Sequence, residues 1–180
     1  MRIIAGKYKG RKLFDHNEKY IRPYTDRIKE SVFASLEEKL INARVLDLYA
    51  GSGSIGLEAL SRGAGFVTFN DLSSRALTLI KKNAEKIGVK RDEYRLVQSE
   101  DISFLKNQSL NYDVLFLDPP FAYSEWGMFW QTMLNAEWKV KPLVVFRYEK
   151  KIDVQLPDQF TIIRSKKYGK SIVNFMEIKL

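Results

Sequence analysis

Apolar residues at positions 28, 32, 33, 36 and 40 of TDRIKESVFASLEEKL recur at three-and-four spacing, which predicts an amphipathic helix. Thr25 is its expected N-cap and Asp26 a favourable first-turn acid. From residue 43 the pattern changes to short apolar runs alternating with amphipathic segments. ARVLDLY predicts a strand, AGSGS a loop, and IGLEALSRG a helix closed by Gly63. FVTFN predicts the next strand, and SSRALTLIKKNAEKIG a longer helix closed by Gly88. YRLVQ, YDVLFLD and LVVFRY add three strands, with helical segments near 101–107 and 125–135. This alternation predicts a mostly parallel sheet with helices on both faces. FTIIRSKK and SIVNFMEIKL flank Tyr168-Gly169-Lys170 and predict an antiparallel hairpin on the sheet edge. At the other end, RIIAG and GRKLF flank Lys7-Tyr8-Lys9 and predict a short hairpin with Gly6 and Gly10 at its bends. The expected organisation is a basic hairpin-and-helix extension over 1–42 joined to an α/β domain over 43–180.

Composition narrows this without redirecting it. The 180 residues suffice for one domain, and 45% hydrophobic with 29% charged residues is ordinary for a folded soluble chain. No apolar stretch approaches the roughly 20 residues of a membrane span, and MRIIAGK is too short and polar for a signal peptide. The absence of cysteine excludes disulfides and thiolate metal sites; together these features point to a cytoplasmic protein. The net charge of +8 is unevenly spread: residues 1–30 carry +5, residues 139–180 carry +6, and residues 31–138 carry −3. Two basic ends around an acidic centre suit a polyanion lying across both termini, and they equally suit plain solubilising charge.

Candidate chemistry begins in DLYAGSGSIG, where Gly51, Gly53 and Gly56 fit G-x-G-x-x-G between a predicted strand and helix. Asp71 follows Gly51 by twenty positions, so a dinucleotide-binding enzyme must be weighed. Asp47, at the strand end, would repel a pyrophosphate and attract an amino cation. S-adenosylmethionine carries such a cation, a ribose diol and no phosphate, and Asp71 could accept from the ribose hydroxyls of either ligand. Glu100-Asp101, at the exit of the third strand, offers an acceptor for an adenine edge or simply a helix N-cap.

FLDPPF adds a second chemical element. Ligands of open α/β sheets sit beyond the carboxyl ends of the strands, where the strand order reverses. If YDVLFL is the fourth strand, Asp118 emerges beside the glycine loop. Asp118 and the Pro119 carbonyl are then acceptors stiffened by Pro119 and Pro120. Two acceptors gripping the protons of a planar exocyclic amine would favour the pyramidal nitrogen that forms as it attacks a methyl group. Phe121 offers a ring for the extruded base, worth about 1–3 kcal/mol. Neither a metal nor a covalent enzyme intermediate is required.

With MRIIAGKYKGRKL, RPYTDRIKESVF, RVLDLYAGSGSIGLEALSRGA, DPPF and KKYGKS in view, the chain resembles the small bacterial methyltransferases that modify a guanine N2 amine in 16S ribosomal RNA. The resemblance spans nearly the whole chain and implies a Rossmann-like class I sheet of seven strands with S-adenosylmethionine as donor. It implies that Asp118, Pro119, Pro120 and Phe121 serve the target amine and base. Asp47, Tyr49, Ala50, Gly51, Ser52 and Gly53 would line the methionine end, Asp71 and Leu72 the ribose, and Glu100 and Asp101 the adenine. Apart from the resemblance, Arg22 and Thr25 are placed to close over the cofactor, although Pro23 fixing the chain and Thr25 capping the helix are the plainer readings. The implied partner is 16S RNA or a small-subunit particle, met by Arg2, Lys7, Lys9, Arg11 and Arg22, with Lys166, Lys167 and Lys170 of the last hairpin; a monomer is expected. FNDLSS departs from the family in placing Asn70 where a glutamate is more usual, and Glu100-Asp101 replaces a more usual Asp-Ala. Trp126, Trp130 and Trp138 are read as core or partly buried helix residues, and His16 receives no role. Rival readings are an adenine-N6 or other amine methyltransferase, a nicotinamide reductase, and a non-catalytic RNA-binding relic of the fold.

Overall fold

The computed structural model describes residues 1–15, 24–107, 109–120 and 122–179; Arg22 and Phe121, with the roles expected of them, lie outside these. The elements in chain order are α1 (Asp26–Ala34), α2 (Glu37–Leu40), β1 (Arg44–Asp47), α3 (Ser54–Ser61), β2 (Phe66–Asp71), α4 (Ser74–Ile87) and β3 (Tyr94–Gln98). There follow α5 (Asp101–Lys106), β4 (Val114–Leu117), α6 (Trp126–Asn135), β5 (Leu143–Glu149), β6 (Phe160–Tyr168) and β7 (Ser171–Ile178). The strands form one sheet in the order β3-β2-β1-β4-β5-β7-β6. β1 to β5 run parallel, and β7 pairs antiparallel with both β5 and β6. The expected seven-stranded, Rossmann-like sheet with its edge hairpin is therefore present.

Side-chain alternation along the central strands builds two cores. Val45, Val114, Phe116 and Val145 face a core shared with α1, α3 and α4. Leu46, Leu115, Leu117 and Phe146 face the other, which holds Trp130 of α6. The period of two that makes this possible also explains why these strands read as nearly continuous apolar runs: both faces are covered. Trp130 is fully buried, while Trp126 and Trp138 are partly buried against the same core, as expected.

Two sequence expectations change in detail. The helix over 25–40 is interrupted after Ala34 and resumes at Glu37. Ser35 Oγ donates to Ser31 O at 3.1 Å, and Lys166 Nζ from β6 donates to the same carbonyl at 3.0 Å. Side-chain competition for a helix carbonyl loosens the regular ladder at that point. Leu36 and Leu40 stay buried, so the apolar face survives the break.

The N-terminal hairpin pairs through a single bridge, Arg2 with Lys12, rather than through extended strands. The amides of Ile3, Gly10 and Leu13 bond across the hairpin, and four others are used elsewhere. Those of Ile4 and Ala5 donate to the Glu58 carboxylate at 2.8 and 3.1 Å, and those of Lys7 and Tyr8 donate to Ser61 O and Oγ. Gly6, at φ 83°, lies so close to α3 that an added Cβ would sit 1.8 Å from Ser61 O. Ile3, Tyr8 and Leu13 join the same core as Val45 and Leu57. Residues 1–15 are thus clamped onto α3 and share the main core.

Candidate active site

The order reversal between β1 and β4 creates the site. Asp47 is in register with Phe116, and Leu48 N donates to Phe116 O at 3.2 Å. The loops leaving both strands therefore start side by side. A cavity of about 660 Å³ opens there, lined jointly by the Asp47–Ser52 loop and by Asp118, Pro119 and Pro120. Asp71, Leu72, Glu100 and Asp101 complete its far wall.

The glycine loop turns back on itself through the Gly53 N to Ala50 O bond of 2.8 Å and enters α3 at Ser54. Gly56 lets α3 approach β2, because a Cβ there would fall 2.2 Å from the Phe69 ring. Asp47 Oδ2 accepts from Gly56 N at 3.1 Å, so this carboxylate holds the helix start while facing the cavity. Burial pushes its pKa up to about 7, with Asp118 and Asp71 adding to the rise and the Gly56 amide opposing it.

Asp71 bridges two loops: Oδ2 accepts from Gly51 N and Oδ1 from Ser73 N, both at 2.8 Å. Each oxygen keeps a second lone pair for a ligand hydroxyl. Asn70 is buried, and its Nδ2 donates to Leu48 O at 3.0 Å and Ser99 O at 3.1 Å. It ties the exits of β1 and β3 together across β2. A glutamate has no N–H to donate in this way, which explains physically what the amide does at this position. Its Oδ1 is buried without a hydrogen-bond partner among the described residues.

Asp101 has a role that sequence reasoning missed. Its Oδ2 accepts from Tyr49 OH at 2.5 Å and Tyr123 OH at 2.6 Å, and its Oδ1 accepts from Ile102 N. The carboxylate thus pins the glycine-loop side to the segment after the proline turn. Burial, followed by the Asp101 bond, pushes both tyrosine pKa values up and keeps the hydroxyls as donors. Glu100 occupies the α5 N-cap position without a side-chain cap bond and reaches the cavity wall.

Asp118 pairs with Arg147 of β5, Oδ1 to Nε at 2.8 Å, and the guanidinium lies 4.1 Å from the Tyr24 ring centroid. Burial pushes the Asp118 carboxyl up, and Arg147 pulls it back. Tyr24, Arg147, Asn70 and Tyr123 all line the cavity, and none was expected there. An aromatic or arginine inside a strand or loop carries no local sequence signal of a site; only the RPYTDR motif hinted at Tyr24.

Thr25 caps α1 as expected, accepting from Ile28 N at 3.3 Å; it is exposed and outside the cavity lining, which its neighbour Tyr24 joins. Gly53 also lies behind the wall, facing Ile80 of α4. Lys166 Nζ donates to Ser31 O, Ser31 Oγ and Ser35 Oγ, which uses all three ammonium protons on α1. Arg11 donates to Ile87 O at 2.6 Å, and Arg2 pairs with Asp26 at 2.8 Å. Lys7, Lys9, Lys167 and Lys170 are exposed.

The lining carries Asp15, Asp47, Asp71, Glu100, Asp101, Asp118 and Glu125, against Arg147 as the one cationic side chain among the described lining residues. Such a wall disfavours a dinucleotide pyrophosphate, although the glycine spacing permits one. Sheet order, loop and acidic cavity together define a methyltransferase of the Rossmann-like class I fold.

The family model for Conserved hypothetical protein 95 matches residues 1–177, and the chain belongs to that family. Ribosomal RNA small subunit methyltransferase D of Haemophilus influenzae is 35% identical over 173 residues, covering 94% of this chain and 89% of the relative. The Buchnera aphidicola protein of the same name is 31% identical over 166 residues, covering 91% and 86%. Among solved structures, yhhF from Escherichia coli superposes with a TM-score of 0.84 at 29% identity, covering 99% of this chain and 98% of that one.

Proposed function

We propose that the protein transfers a methyl group from S-adenosylmethionine to the exocyclic N2 amine of a guanine in 16S ribosomal RNA. The observation that carries this is the single cavity shared by the glycine loop and the Asp118-Pro119-Pro120 turn. The relatives named small subunit methyltransferase D support the substrate class.

The residues present fit the cofactor. Asp47 is a buried carboxylate that no lysine or arginine among the described residues pairs with, suited to an amino cation. Asp71 retains acceptor capacity for a ribose diol, and the orphaned Asn70 Oδ1 adds a polar atom to the same wall. When bound, S-adenosylmethionine supplies a methyl carbon attached to a good leaving group.

The chain's own residues do the rest. The Asp118 carboxylate accepts a hydrogen bond from the target amine, stabilises the positive charge that grows on the nitrogen as it becomes pyramidal, and is placed to receive the proton that this nitrogen sheds once its bond to the methyl carbon has formed. The Pro119 carbonyl supplies a second acceptor on a backbone stiffened by two prolines. Their fixed aim lowers the barrier by positioning, because the reacting nitrogen need not be reoriented in the cleft. Phe121 is the proposed stacking ring. Exposed Lys7, Lys9, Lys167 and Lys170 are the proposed phosphate contacts, while Arg2 and Arg11 join them only with the part of the guanidinium left over from their internal bonds.

The test is transfer of a labelled methyl group to 16S RNA and to small-subunit particles lacking the modification, followed by nucleoside analysis. N2-methylguanosine is the expected product, and N6-methyladenosine would replace the guanine reading with the adenine one. Asp118→Ala is expected to lose about 100-fold or more in turnover while binding S-adenosylhomocysteine as wild type does. Equal turnover would remove Asp118 from the mechanism.

A further inference from the structure

Asp118 sits in a demanding position. It is largely withdrawn from water. Burial disfavours the ionised form that a proton acceptor needs. The opposing charge comes from Arg147, whose side chain is only 5% exposed and whose Nε is 2.8 Å from Asp118 Oδ1. Arg147 is itself held from the other side: its guanidinium stacks 4.1 Å from the ring centroid of Tyr24, a residue 6% exposed that precedes α1. Among the described residues, Asp118 meets Arg147 from β5 and lies near Tyr24 from the segment before α1, with Asp47 of β1 and Glu125 on the same cavity wall.

We infer that Arg147, wedged between the Tyr24 ring and the carboxylate, is the positioning residue of Asp118 and fixes both its aim and its charge. The inference rests on the proposed catalytic role of Asp118. A guanidinium suits the task better than an ammonium. Its plane stacks on an aromatic face, and its charge stays on at any working pH while one N–H fixes the carboxylate. The arrangement also gives residues before α1 a part in the chemistry, since the face under the guanidinium comes from Tyr24 and not from the sheet.

The test compares wild type, Arg147→Gln, Arg147→Lys and Asp118→Ala in the pH dependence of kcat, with S-adenosylhomocysteine affinity as a control for the cofactor side. In Arg147→Gln the acid limb of kcat is expected to move to higher pH by about one unit or more, the size of an arginine's effect on an adjacent carboxyl. Arg147→Lys keeps the charge and loses the stacked fork, so its limb should stay near wild type while kcat falls and KM holds. Tyr24→Leu is expected to lower kcat, and Tyr24→Phe, which keeps the ring, to recover it.

A second readout does not depend on substrate. The carboxyl carbon-13 resonance of Asp118, assigned by its loss in Asp118→Asn, should titrate at higher pH in Arg147→Gln than in wild type. An unchanged limb together with an unchanged carboxyl titration would reduce Arg147 to a structural contact and overturn the inference. Should Arg147→Gln fail to fold, Arg147→Lys and Tyr24→Phe decide it: wild-type kcat in the former, or no recovery in the latter, overturns it. Full turnover by Asp118→Ala would instead overturn the underlying catalytic reading, and the two failures are distinct.

Discussion

Two ion pairs in this molecule look alike on paper and differ in what surrounds them. Lys29 and Glu58 meet at 3.1 Å with both side chains at 0% exposure; Arg147 and Asp118 meet at 2.8 Å with Asp118 25% exposed at a cavity. Every direction around the first pair is filled. Glu58 also accepts from Ile4 N, Ala5 N and Arg62 Nε, and Lys29 also donates to Arg2 O and Ser54 Oγ. Around the second, one side of the carboxylate opens onto space large enough for a ligand. Charges taken from water are tolerated only when their hydrogen-bonding capacity is met. A pair fully met by protein therefore holds the fold together, and a pair left partly open has capacity to offer a substrate.

The largest expected effect separates these roles. Glu58→Gln leaves Lys29 buried without its counter-charge and should cost about 3–5 kcal/mol of stability, read as a lower urea midpoint. Because glutamine keeps one acceptor oxygen and turns the other into a donor, one of the Ile4 and Ala5 amides loses its acceptor, and early amide exchange should rise across residues 3–8. A loss under about 1 kcal/mol, typical of an exposed pair, would erase the distinction. Asp118→Ala should cost less stability than Glu58→Gln, because Arg147 lines a cavity that admits water, while it loses far more turnover.

Asp47 sharpens the contrast, being buried without a cationic partner among the described residues. Its carboxyl is raised to about 7 by burial. The folded state therefore binds a proton that the unfolded chain has shed by then, so stability falls as pH rises between about 4 and 7. An amino cation needs the ionised form, so affinity for S-adenosylmethionine should weaken as pH drops below 7, by up to about tenfold per unit. Calorimetric titration between pH 5 and 8 measures this, and Asp47→Asn should flatten the dependence. A flat wild-type profile would mean that the cation does not meet Asp47.

The smallest effect is expected at the surface. Arg2 and Asp26 form an exposed pair, with side chains 60% and 47% exposed. Arg2→Ala should change stability by less than about 1 kcal/mol. A larger loss would show that position, and not exposure, ranks these pairs.

Local pattern carried the elements because it depends on near neighbours. The period of two in YDVLFL, the three-and-four spacing in TDRIKESVFASLEEKL and the glycines of DLYAGSGSIG each act within a few residues. Adjacency of the glycine loop and the proline turn was also legible, since a doubly wound parallel sheet brings its strand ends together wherever the order reverses. The destination of charged side chains was not. Lys166 and Arg11, read as phosphate contacts, bind α1 and the end of α4. Their partners lie 131 and 76 residues away in the chain, beyond the reach of any periodicity.

Sequence by itself therefore determined the order of strands and helices, the turn chemistry and the acids Asp47, Asp71 and Asp118, because backbone preference and hydrophobic period are local. Tertiary structure alone decided that Arg147 and Tyr24 stand behind Asp118, that Asp101 pins two tyrosines, and that residues 1–15 are locked to α3. Those outcomes depend on which side chain is nearest once the sheet has closed. A charge takes its meaning from the groups that replace its water.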